Sequence, residues 1–488
     1  MQRFWKISII IACLTLSLAL TFPREGQGQE RPLPPLPAGP ASVSTTPAEV
    51  TFDYSQSKGE YSKYLFSVID SPYPLEEGVR LAKEANFKVV AMIHFLTDIA
   101  KPEEKARLLA KYGLEGMLFC EGEAGRYSSA NAVRQTADAV LNKIDSLKKK
   151  YPGFNVRVIL FGNEPDIPEQ IHWKGTSEQF VNNYAVFVRR VKERNQNYLV
   201  GTPGFAPDVF FPGNRGSWME DVIKSLSRHQ VPADFISFHS YYTGVSRSFT
   251  GRLLYLKRLL SQYQVRSPIF GSPKLANNEF GFKPTPYQEP QYYRELDTAW
   301  RAAHGIMAVS SMVDQGLWMA CEYGSPFRNI LPGDLKETDW LWISKKGTIK
   351  PIYYAWKAFN NLAETIEIPQ RGSNFETFGA LAGKSAKDDS LVIILSSYDE
   401  YAFFQAYPDP NWIPQQSRNV PSYKSYKILI KNLPWREKDK IVLERYLVDD
   451  INKLALVEKT ELPGGSELAI QREVGLPQVQ LIKIYQRP

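Results

Sequence analysis

Short runs of apolar residues alternate with amphipathic stretches along residues 64–322. The runs are typical of buried strands and cover residues 64–69, 87–95, 114–119, 156–161, 198–204, 234–239, 274–280 and 316–322. Between them apolar residues recur at helical spacing, for example over residues 74–85, 131–150, 177–194, 219–229, 248–263 and 292–315. Eight strand–helix units in one continuous series predict an α/β fold, a (β/α)8 barrel.

The spacing of the later strand ends supports this count. Glu164, Gly204, His239, Glu279 and Glu322 stand near the ends of consecutive runs, about 35–43 residues apart, which fits one strand, one helix and modest loops. A doubly wound sheet remains the alternative, although that fold requires a glycine-rich phosphate-binding turn or a switch-point signature. The sequence contains no G-x-G-x-x-G or Walker motif.

The pattern changes after residue 360. β-rich runs at residues 390–397, 423–430, 440–448 and 479–485 alternate with turn segments such as residues 463–466, which predicts a β-sandwich. Residues 50–54 can add a strand to this sandwich. We therefore divide the chain into a signal peptide (1–28), a proline-rich linker (29–48), a (β/α)8 barrel (49–365) and a β-sandwich (366–488).

The first 47 residues have the composition of an export signal followed by a linker. Arg3 and Lys6 precede an apolar stretch at residues 7–22, and small residues follow it, as in signal peptides. Residues 31–47 are rich in proline and small residues, which favours an extended linker. We therefore expect a secreted or periplasmic protein. An uncleaved membrane anchor remains the alternative, because the apolar stretch is close to the length of a short membrane span.

Composition and charge exclude several classes of protein. With 488 residues, of which 43% are hydrophobic and 23% charged, the chain is not disordered throughout, collagen-like or a polytopic membrane protein. The net charge of +7 is small and dispersed, which argues against a nucleic-acid partner but suits the approach of an anionic polysaccharide. The three cysteines and five histidines show no metal-ligand spacing, so we expect neither a metal nor another cofactor.

Two glutamates stand at the ends of predicted strands that lie across the barrel from one another. Glu164 follows the fourth run, between Asn163 and Pro165, and Glu279 ends the seventh run. The carboxyl ends of barrel strands surround the active-site mouth, so the two carboxylates can converge there. Cleavage of a glycosidic bond requires such a pair, because one carboxyl group protonates the leaving oxygen and the other attacks the sugar or activates water. We predict Glu164 as acid/base and Glu279 as nucleophile; the alternative is that either is an ion-pair partner in a loop.

The sixth and eighth runs add further candidates. His239 and Tyr241 are two residues apart and face the same way if the strand continues through them. Tyr241 can then hydrogen-bond Glu279 and keep it ionised, while His239 lines the adjacent wall or is a structural histidine at the rim. Trp318 is a candidate for stacking against a sugar, with a core tryptophan as the alternative. The fallback carboxylates are Glu121, Glu123 and Glu322.

Three motifs, in order along the chain, carry a resemblance to a known group of enzymes. They are Gly162-Asn163-Glu164-Pro165, Asp234-Phe235-Ile236-Ser237-Phe238-His239-Ser240-Tyr241 and Asn278-Glu279-Phe280. Together they resemble the retaining glycoside hydrolases of clan A and, within that clan, most closely family 39, which contains β-xylosidases, α-L-iduronidases and some exopolysaccharide-processing enzymes. The resemblance covers most of residues 60–360. It implies double displacement, with Glu279 as nucleophile, Glu164 as acid/base and Asn163 bonded to the 2-hydroxyl of the sugar.

The chain departs from the family pattern at three positions. Gly162 stands where the family usually has a tryptophan, and Asn278 stands where it has a threonine or serine. His94 stands where the clan often has an arginine at the end of the second strand. The alternative function is therefore a carbohydrate-binding or matrix protein whose barrel binds glycans without cleaving them.

Aromatic residues are concentrated at residues 398–412 of the predicted sandwich. We expect them to pack against the barrel, because no linker rich in proline, serine or glycine separates the two modules. The alternative is an exposed set of rings that grips a glycan chain. The set comprises Tyr401, Phe403, Phe404, Tyr407 and Trp412.

Overall fold

The computed structural model describes residues 42–69, 76–92, 95–96, 101–120, 129–167, 173, 175–206, 218–242, 244–245, 249–282, 298–323, 342–343, 348–407, 416 and 419–487. The predicted signal peptide and most of the predicted linker lie outside these residues. The described residues form one compact unit. No helix among them is both long enough and apolar enough to cross a membrane.

Eight parallel strands of the described chain close into a barrel, in which each strand pairs with the next along the chain and the last pairs with the first. Three short strands precede it: β1 (Val43–Ser44), β2 (Ala48–Asp53) and β3 (Gly59–Glu60). The barrel strands are β4 (Ser67–Ile69), β5 (Val89–Met92), β6 (Glu115–Cys120), β7 (Asn155–Phe161), β8 (Leu199–Phe205), β9 (Phe235–Tyr242), β10 (Lys274–Phe282) and β11 (Met319–Glu322). The predicted (β/α)8 barrel is confirmed.

Helices connect the barrel strands. They are α1 (Glu76–Glu84), α2 (Pro102–Tyr112), α3 (Ala130–Lys150), α4 (Ser177–Arg194), α5 (Trp218–Arg228), α6 (Gly251–Tyr263), α7 (Ala299–Asp314) and α8 (Pro351–Phe359). Local sequence sets their ends. Thr176 and Gln179 form a capping box at the start of α4, while α2 begins at Pro102 and is followed by Gly113 in the left-handed conformation that glycine adopts without strain. Helices α2 and α8 are not among those singled out from the sequence.

Two apolar layers hold the barrel together. Side chains that point into the barrel form an interior cluster that includes Ala91, Met117, Leu160, Ala276 and Met319. The alternate residues of the same strands face outward and join the buried faces of the helices in a larger cluster. Because the strands are buried on both faces, they appear in the sequence as uninterrupted apolar runs.

The carboxy-terminal residues form two further sheets with a common core. The strands of this region are β12 (Thr365–Ile368), β13 (Gln370–Arg371), β14 (Phe378–Ser385), β15 (Leu391–Ser397), β16 (Ser422–Tyr423), β17 (Ser425–Lys431), β18 (Lys440–Val448), β19 (Lys453–Pro463), β20 (Glu467–Glu473) and β21 (Gln478–Gln486), with helix α9 (Glu400–Ala406) after β15. Strand β16 pairs in parallel with β1 in a separate two-stranded sheet, and the other strands belong to the two sandwich sheets. The larger sheet has the order β19-β18-β21-β15-β14-β12-β3, and the smaller sheet has the order β13-β2-β17-β20. Side chains of both sheets form one apolar cluster, which confirms the β-sandwich.

Strand β2 belongs to the sandwich although it precedes the barrel in the sequence. It pairs in parallel with β17, with Val50 opposite Ile428. Val50 and Phe52, on the apolar face of β2, are buried in the sandwich core. Residues 50–54 therefore do supply a strand to the sandwich, and the first residues of the range 49–365 lie in the sandwich and not in the barrel wall.

Helix α7 lies between the barrel and the larger sheet of the sandwich. Residues 299–313 are all buried, in contrast to a surface helix, which buries one stripe of its side chains. Ser396 Oγ on β15 donates to the carbonyl oxygen of Ala303 at 2.7 Å, and the Ala299 N–H donates to Asp450 Oδ1 at 2.7 Å. The sandwich thus covers a helix face that would otherwise be exposed.

The aromatic residues of α9 extend the contact between the two modules. Tyr401, Phe403 and Phe404 are buried, and the ring of Phe403 packs edge-on against Phe282, at the end of β10, with centroids 4.8 Å apart. This is the packing expected for the aromatic segment. Trp412 lies outside the described residues.

Candidate active site

Glu164 lies in the turn that follows β7. The chain leaves the strand at Gly162, which has a φ of 82°, and Glu164 itself has a φ of 38°. A left-handed backbone is costly for a residue with a Cβ and is retained where surrounding contacts fix it. One such contact is the Glu164 N–H, which donates to the carbonyl oxygen of Gly204 at 3.0 Å and ties the turn to the end of β8.

Glu279 lies in β10 next to a bulge. Asn277 pairs with Phe238 and Glu279 with His239, so Asn278 is an extra residue on β10. Asn278 accepts a hydrogen bond from Ser237, and Glu279 accepts one from Tyr241. Two consecutive side chains of β10 therefore reach the same face of β9, which a regular strand does not allow. The bulge is what turns Glu279 toward the barrel mouth.

Alternate residues of β9 face the two glutamates. Ser237, His239 and Tyr241 lie on one face of the strand, as the spacing in the sequence predicts. The Tyr241 hydroxyl donates to Glu279 Oε1. Burial, together with the charge of Glu279, raises the pKa of Tyr241 well above its usual value, so the phenol keeps its proton and remains a donor.

His239 connects the two glutamates. Its Nδ1 lies 2.8 Å from Glu164 Oε1, and its Nε2 lies 3.7 Å from Glu279 Oε2. The imidazole is fully buried, which by itself lowers the pKa of His239. The charge of Glu279 and the hydrogen bond and charge of Glu164 outweigh this effect, and the net shift of the His239 pKa is upward. The site therefore favours a proton on this imidazole.

Gly204 makes room for the imidazole of His239. A Cβ placed on Gly204 would lie 1.9 Å from His239 Nε2 and 2.6 Å from Asn278 Oδ1, far inside contact distance. The side chains of β9 and β10 thus approach the backbone of β8 more closely than any other residue type at position 204 would permit.

A buried carboxyl group lies two residues beyond Glu164. Asp166 is 4% exposed, and its Oδ1 accepts a hydrogen bond from the Ala206 N–H at 3.0 Å. Arg252 on α6, also buried, donates to the carbonyl oxygens of Phe205 and Ala206 at 3.2 and 2.5 Å. Burial raises the pKa of Asp166 to about 6, although the bond from Ala206 and the charge of Arg252 oppose the shift.

Two further residues stand beside the glutamates. Asn163 is half-buried and directly precedes Glu164 in the same turn. Tyr323 follows β11, is 39% exposed and meets Tyr241 edge to face, with ring centroids 5.9 Å apart. The Arg301 guanidinium donates to the carbonyl oxygen of Tyr323 at 3.0 Å, which holds this residue at the end of the strand.

Trp318 lies at the opposite end of the barrel. It precedes β11, and its ring packs against Tyr64, Phe235 and Phe270 with centroids 4.6, 5.6 and 5.7 Å away. It lines a cavity of about 850 Å³ with residues at the amino ends of the strands, Glu115 among them. The structure therefore does not place Trp318 near the glutamates. The run at residues 316–322 is only partly a strand, because β11 begins at Met319, and Trp318 stands before its start.

Glu322, one of the three fallback carboxylates, has a structural role. Glu322 is fully buried and accepts hydrogen bonds from Arg301 Nε at 3.2 Å and from the indole N–H of Trp356. It thus faces α7 and α8, away from Glu164 and Glu279. Glu121, Glu123 and His94 lie outside the described residues.

The thiols and the remaining carboxylates of the described residues are not arranged as a metal centre. Within the described ranges, no three His, Cys, Asp or Glu side chains are grouped so that they could hold a metal ion. Cys120 and Cys321 are buried, and neither forms a disulfide bond. Burial raises the pKa of Cys321 to about 12, so this thiol is inert.

Sequence reasoning did not single out Ser237, Asp166 or Gly204 as parts of the site. Ser237 could have been predicted from the sequence, because it follows the same two-residue alternation as His239 and Tyr241. The contributions of Asp166 and Gly204 depend on contacts between neighbouring strand ends, for which a single sequence carries no signal.

No model of a protein family matches the chain. Solved structures are similar over nearly its whole length. A glucosidase from Croceicoccus marinus has a TM-score of 0.69 at 18% identity, with 92% of this chain and 100% of that chain covered. The GH39 enzyme from Xanthomonas axonopodis pv. citri has a TM-score of 0.63 at 13% identity, with 92% and 99% covered. A monomeric β-xylosidase from Caulobacter crescentus CB15 has a TM-score of 0.63 at 13% identity, with 90% and 99% covered.

These structures are glycoside hydrolases, and a GH39 enzyme is among them. Sequence identities this low relate the proteins by fold, and at that level the resemblance to glycoside hydrolases of clan A is confirmed. The chain has the barrel-and-sandwich fold of these glycoside hydrolases.

Proposed function

We propose that this protein is a retaining glycoside hydrolase that cleaves glycosidic bonds in a polysaccharide or oligosaccharide by double displacement. The observation that carries the proposal is the position of Glu164 and Glu279 on either side of one buried imidazole, at 2.8 and 3.7 Å from its nitrogens. Carboxylates this close to a common group can act on the same glycosidic bond. The fold shared with known glycoside hydrolases supports the same chemistry.

In the first step Glu279 acts as the nucleophile. The hydrogen bond from Tyr241 favours the ionised form of Glu279. An oxygen of Glu279 forms a bond with the anomeric carbon while the bond from that carbon to the leaving oxygen breaks. Glu164 gives its proton to the leaving oxygen, so this step ends with a glycosyl ester on Glu279 and an ionised Glu164.

In the second step Glu164 acts as a base. It takes a proton from water, the water oxygen bonds to the anomeric carbon, and the ester bond to Glu279 breaks. The sugar leaves with its original anomeric configuration, and both carboxyl groups return to their starting protonation states.

His239 is the hydrogen-bond partner of Glu164 in this cycle. Its Nδ1 lies 2.8 Å from Glu164 Oε1, so the imidazole and the Glu164 carboxyl group are close enough to share one proton. With the proton on Glu164, the acid is ready for the first step. The first step transfers this proton to the leaving oxygen, and the neutral imidazole then donates its Nδ1–H to the Glu164 carboxylate until the second step returns a proton to Glu164.

Substrate binding and export are also part of the proposal. By the resemblance, Asn163 bonds to the 2-hydroxyl of the sugar. Residues 1–28 direct the protein to the periplasm or outside the cell, where a polysaccharide substrate is accessible.

The proposal is tested with wild-type protein, E164A, E279A and the control E77A, which alters an exposed glutamate on α1. Each protein is incubated with a panel of polysaccharides and oligosaccharides, reducing ends are measured, and the anomer released first is identified by NMR. We expect E164A to lower turnover by about 10²–10⁴-fold, E279A to abolish it, and E77A to match the wild type. Full activity in E279A contradicts the assignment. Glycan binding without release of reducing ends would favour the non-catalytic alternative.

A further inference from the structure

The backbone of Glu164 needs support from its surroundings. Its φ of 38° lies in the left-handed region, which costs a residue with a side chain on the order of 1–3 kcal/mol. Two hydrogen bonds join this turn to the end of β8. The Glu164 N–H donates to Gly204 O, and Asp166 Oδ1 accepts from the Ala206 N–H, each at 3.0 Å. The second bond is made by a side chain, so substitution can remove it.

The hydrogen bond between Asp166 and the Ala206 N–H requires burial of a carboxyl group, which is unfavourable. The Asp166 carboxyl group is nearly fully buried, and a buried carboxylate loses its hydration. Arg252 compensates in part, because its buried guanidinium binds the carbonyl oxygens of Phe205 and Ala206. Asp166 connects the turn of Glu164 to the end of β8, although its burial is unfavourable for stability. This indicates that the connection is needed for the geometry of the site.

The end of β8 also positions His239. Gly204 is in close contact with the His239 ring, and its carbonyl oxygen binds the Glu164 N–H. A shift of residues 204–206 would therefore move both partners of the contact between Glu164 Oε1 and His239 Nδ1. The Asp166 carboxyl group restrains that shift through Ala206.

We infer that Asp166 is a positioning residue for the acid/base: as a hydrogen-bond acceptor it fixes the end of β8 to the Glu164 turn and thereby keeps Glu164 on the imidazole of His239. This inference rests on the proposed function in assigning Glu164 as acid/base. Asp166 does not contact the reacting atoms in this role. Its acceptor oxygen is what matters, and its charge is secondary.

The contact between Glu164 and His239 can be followed without a substrate. The full-length protein is labelled with ¹³C at histidine Cε1, and the signal of His239 is assigned among the five histidines by its loss in H239Q. Its pKa is measured in the wild type and three variants. E164Q reports the loss of the Glu164 charge, D166A removes the acceptor, and D166N removes the charge of Asp166 while leaving an oxygen that can accept from Ala206.

We expect E164Q to lower the His239 pKa by roughly one unit, D166A to come close to E164Q, and D166N to stay closer to the wild type. The charge of Asp166 also raises the His239 pKa, but D166A and D166N both remove it, so their difference reports the acceptor alone. On a glycan that the wild type hydrolyses, D166A lowers kcat by about 10²-fold with little change in KM, and D166N restores most of it.

A folded D166A whose His239 titrates as in D166N overturns the inference. If D166A does not fold, D166N decides: a His239 pKa as low as in E164Q overturns the inference, and a higher pKa supports it. Failure of the proposed function looks different. In that case the wild type hydrolyses no glycan, while a lower His239 pKa in D166A than in D166N still supports the positioning of Glu164 by Asp166.

Discussion

Replacement of Gly204 by alanine tests the packing of the site directly. The added Cβ would lie 1.9 Å from His239 Nε2, 2.2 Å from His239 Cδ2 and 2.6 Å from Asn278 Oδ1. The imidazole is fully buried and in contact with both glutamates, so it has no open space into which to move. Either the ring shifts, or the end of β8 does, and both movements lengthen the contact between His239 and Glu164.

The expected magnitude follows from the overlap. Forcing one extra carbon into a close-packed interior costs about 1–3 kcal/mol of stability. A displacement of about 1 Å at a reacting group lowers turnover by about 10²-fold. We therefore expect G204A to fold, to unfold at a lower temperature than the wild type, and to lose about two orders of magnitude in kcat for glycan hydrolysis.

The matched control is G251A. Gly251 begins α6, and a Cβ there would have no heavy atom within 4 Å. Alanine at this position should be neutral or stabilise the protein by up to about 1 kcal/mol, without change in activity. Thermal unfolding and initial rates are measured for both variants. Wild-type activity and stability in G204A would show that the imidazole is not confined between β8 and the glutamates, and would refute the reasoning.

Three further predictions concern stability. E322A leaves the fully buried Arg301 without its carboxylate partner and should lower the free energy of unfolding by about 3–5 kcal/mol, whereas E364A, at an exposed pair with Lys88, should cost less than about 1 kcal/mol; equal losses in chemical denaturation would contradict this. Residues 365–488 expressed alone should aggregate, because they lack β2 of the smaller sheet and the helix α7 that covers the larger one; a monomeric fragment that unfolds cooperatively would be the opposite result. Asp166 has a pKa near 6 in the folded protein against 3.8 in the unfolded chain, so the folded state binds more protons between these values. Relative to D166N, the wild type should therefore lose about 2 kcal/mol as the pH rises from 4 to 6, and parallel stability curves would exclude the shift.

Periodicity was sufficient to predict the barrel because its strands are buried on both faces. The run at residues 156–161 predicts β7 (Asn155–Phe161) almost to the residue, and the helical spacing at 177–194 predicts α4 in full. Sandwich strands such as β19 (Lys453–Pro463) were not predicted, because most of their residues are partly or fully exposed and their apolar pattern is weak.

In the site, features set by the local sequence could be predicted, whereas features set by pairing between strands could not. The alternation of His239 and Tyr241 in the sequence is sufficient to place both side chains on the face of β9 that meets Glu164 and Glu279. The position of Trp318 could not be predicted in the same way, because the local sequence does not show that β11 begins one residue after it, at Met319. The bulge at Asn278 likewise depends on the pairing of β10 with β9, which only the folded chain defines.

The pairing of β2 with β17 has a consequence for synthesis of the protein on the ribosome. Val50 and its partner Ile428 are separated by 428 − 50 = 378 positions, so at about 5–20 residues per second the first strand waits roughly 20–75 s for the second. During that interval the nascent chain carries Val50 and Phe52 without their final cover, while the barrel strands that follow emerge and pair with their immediate neighbours. A central strand of the smaller sheet is thus made before every strand of the barrel, and it can pair with β17 only after all of them have been made.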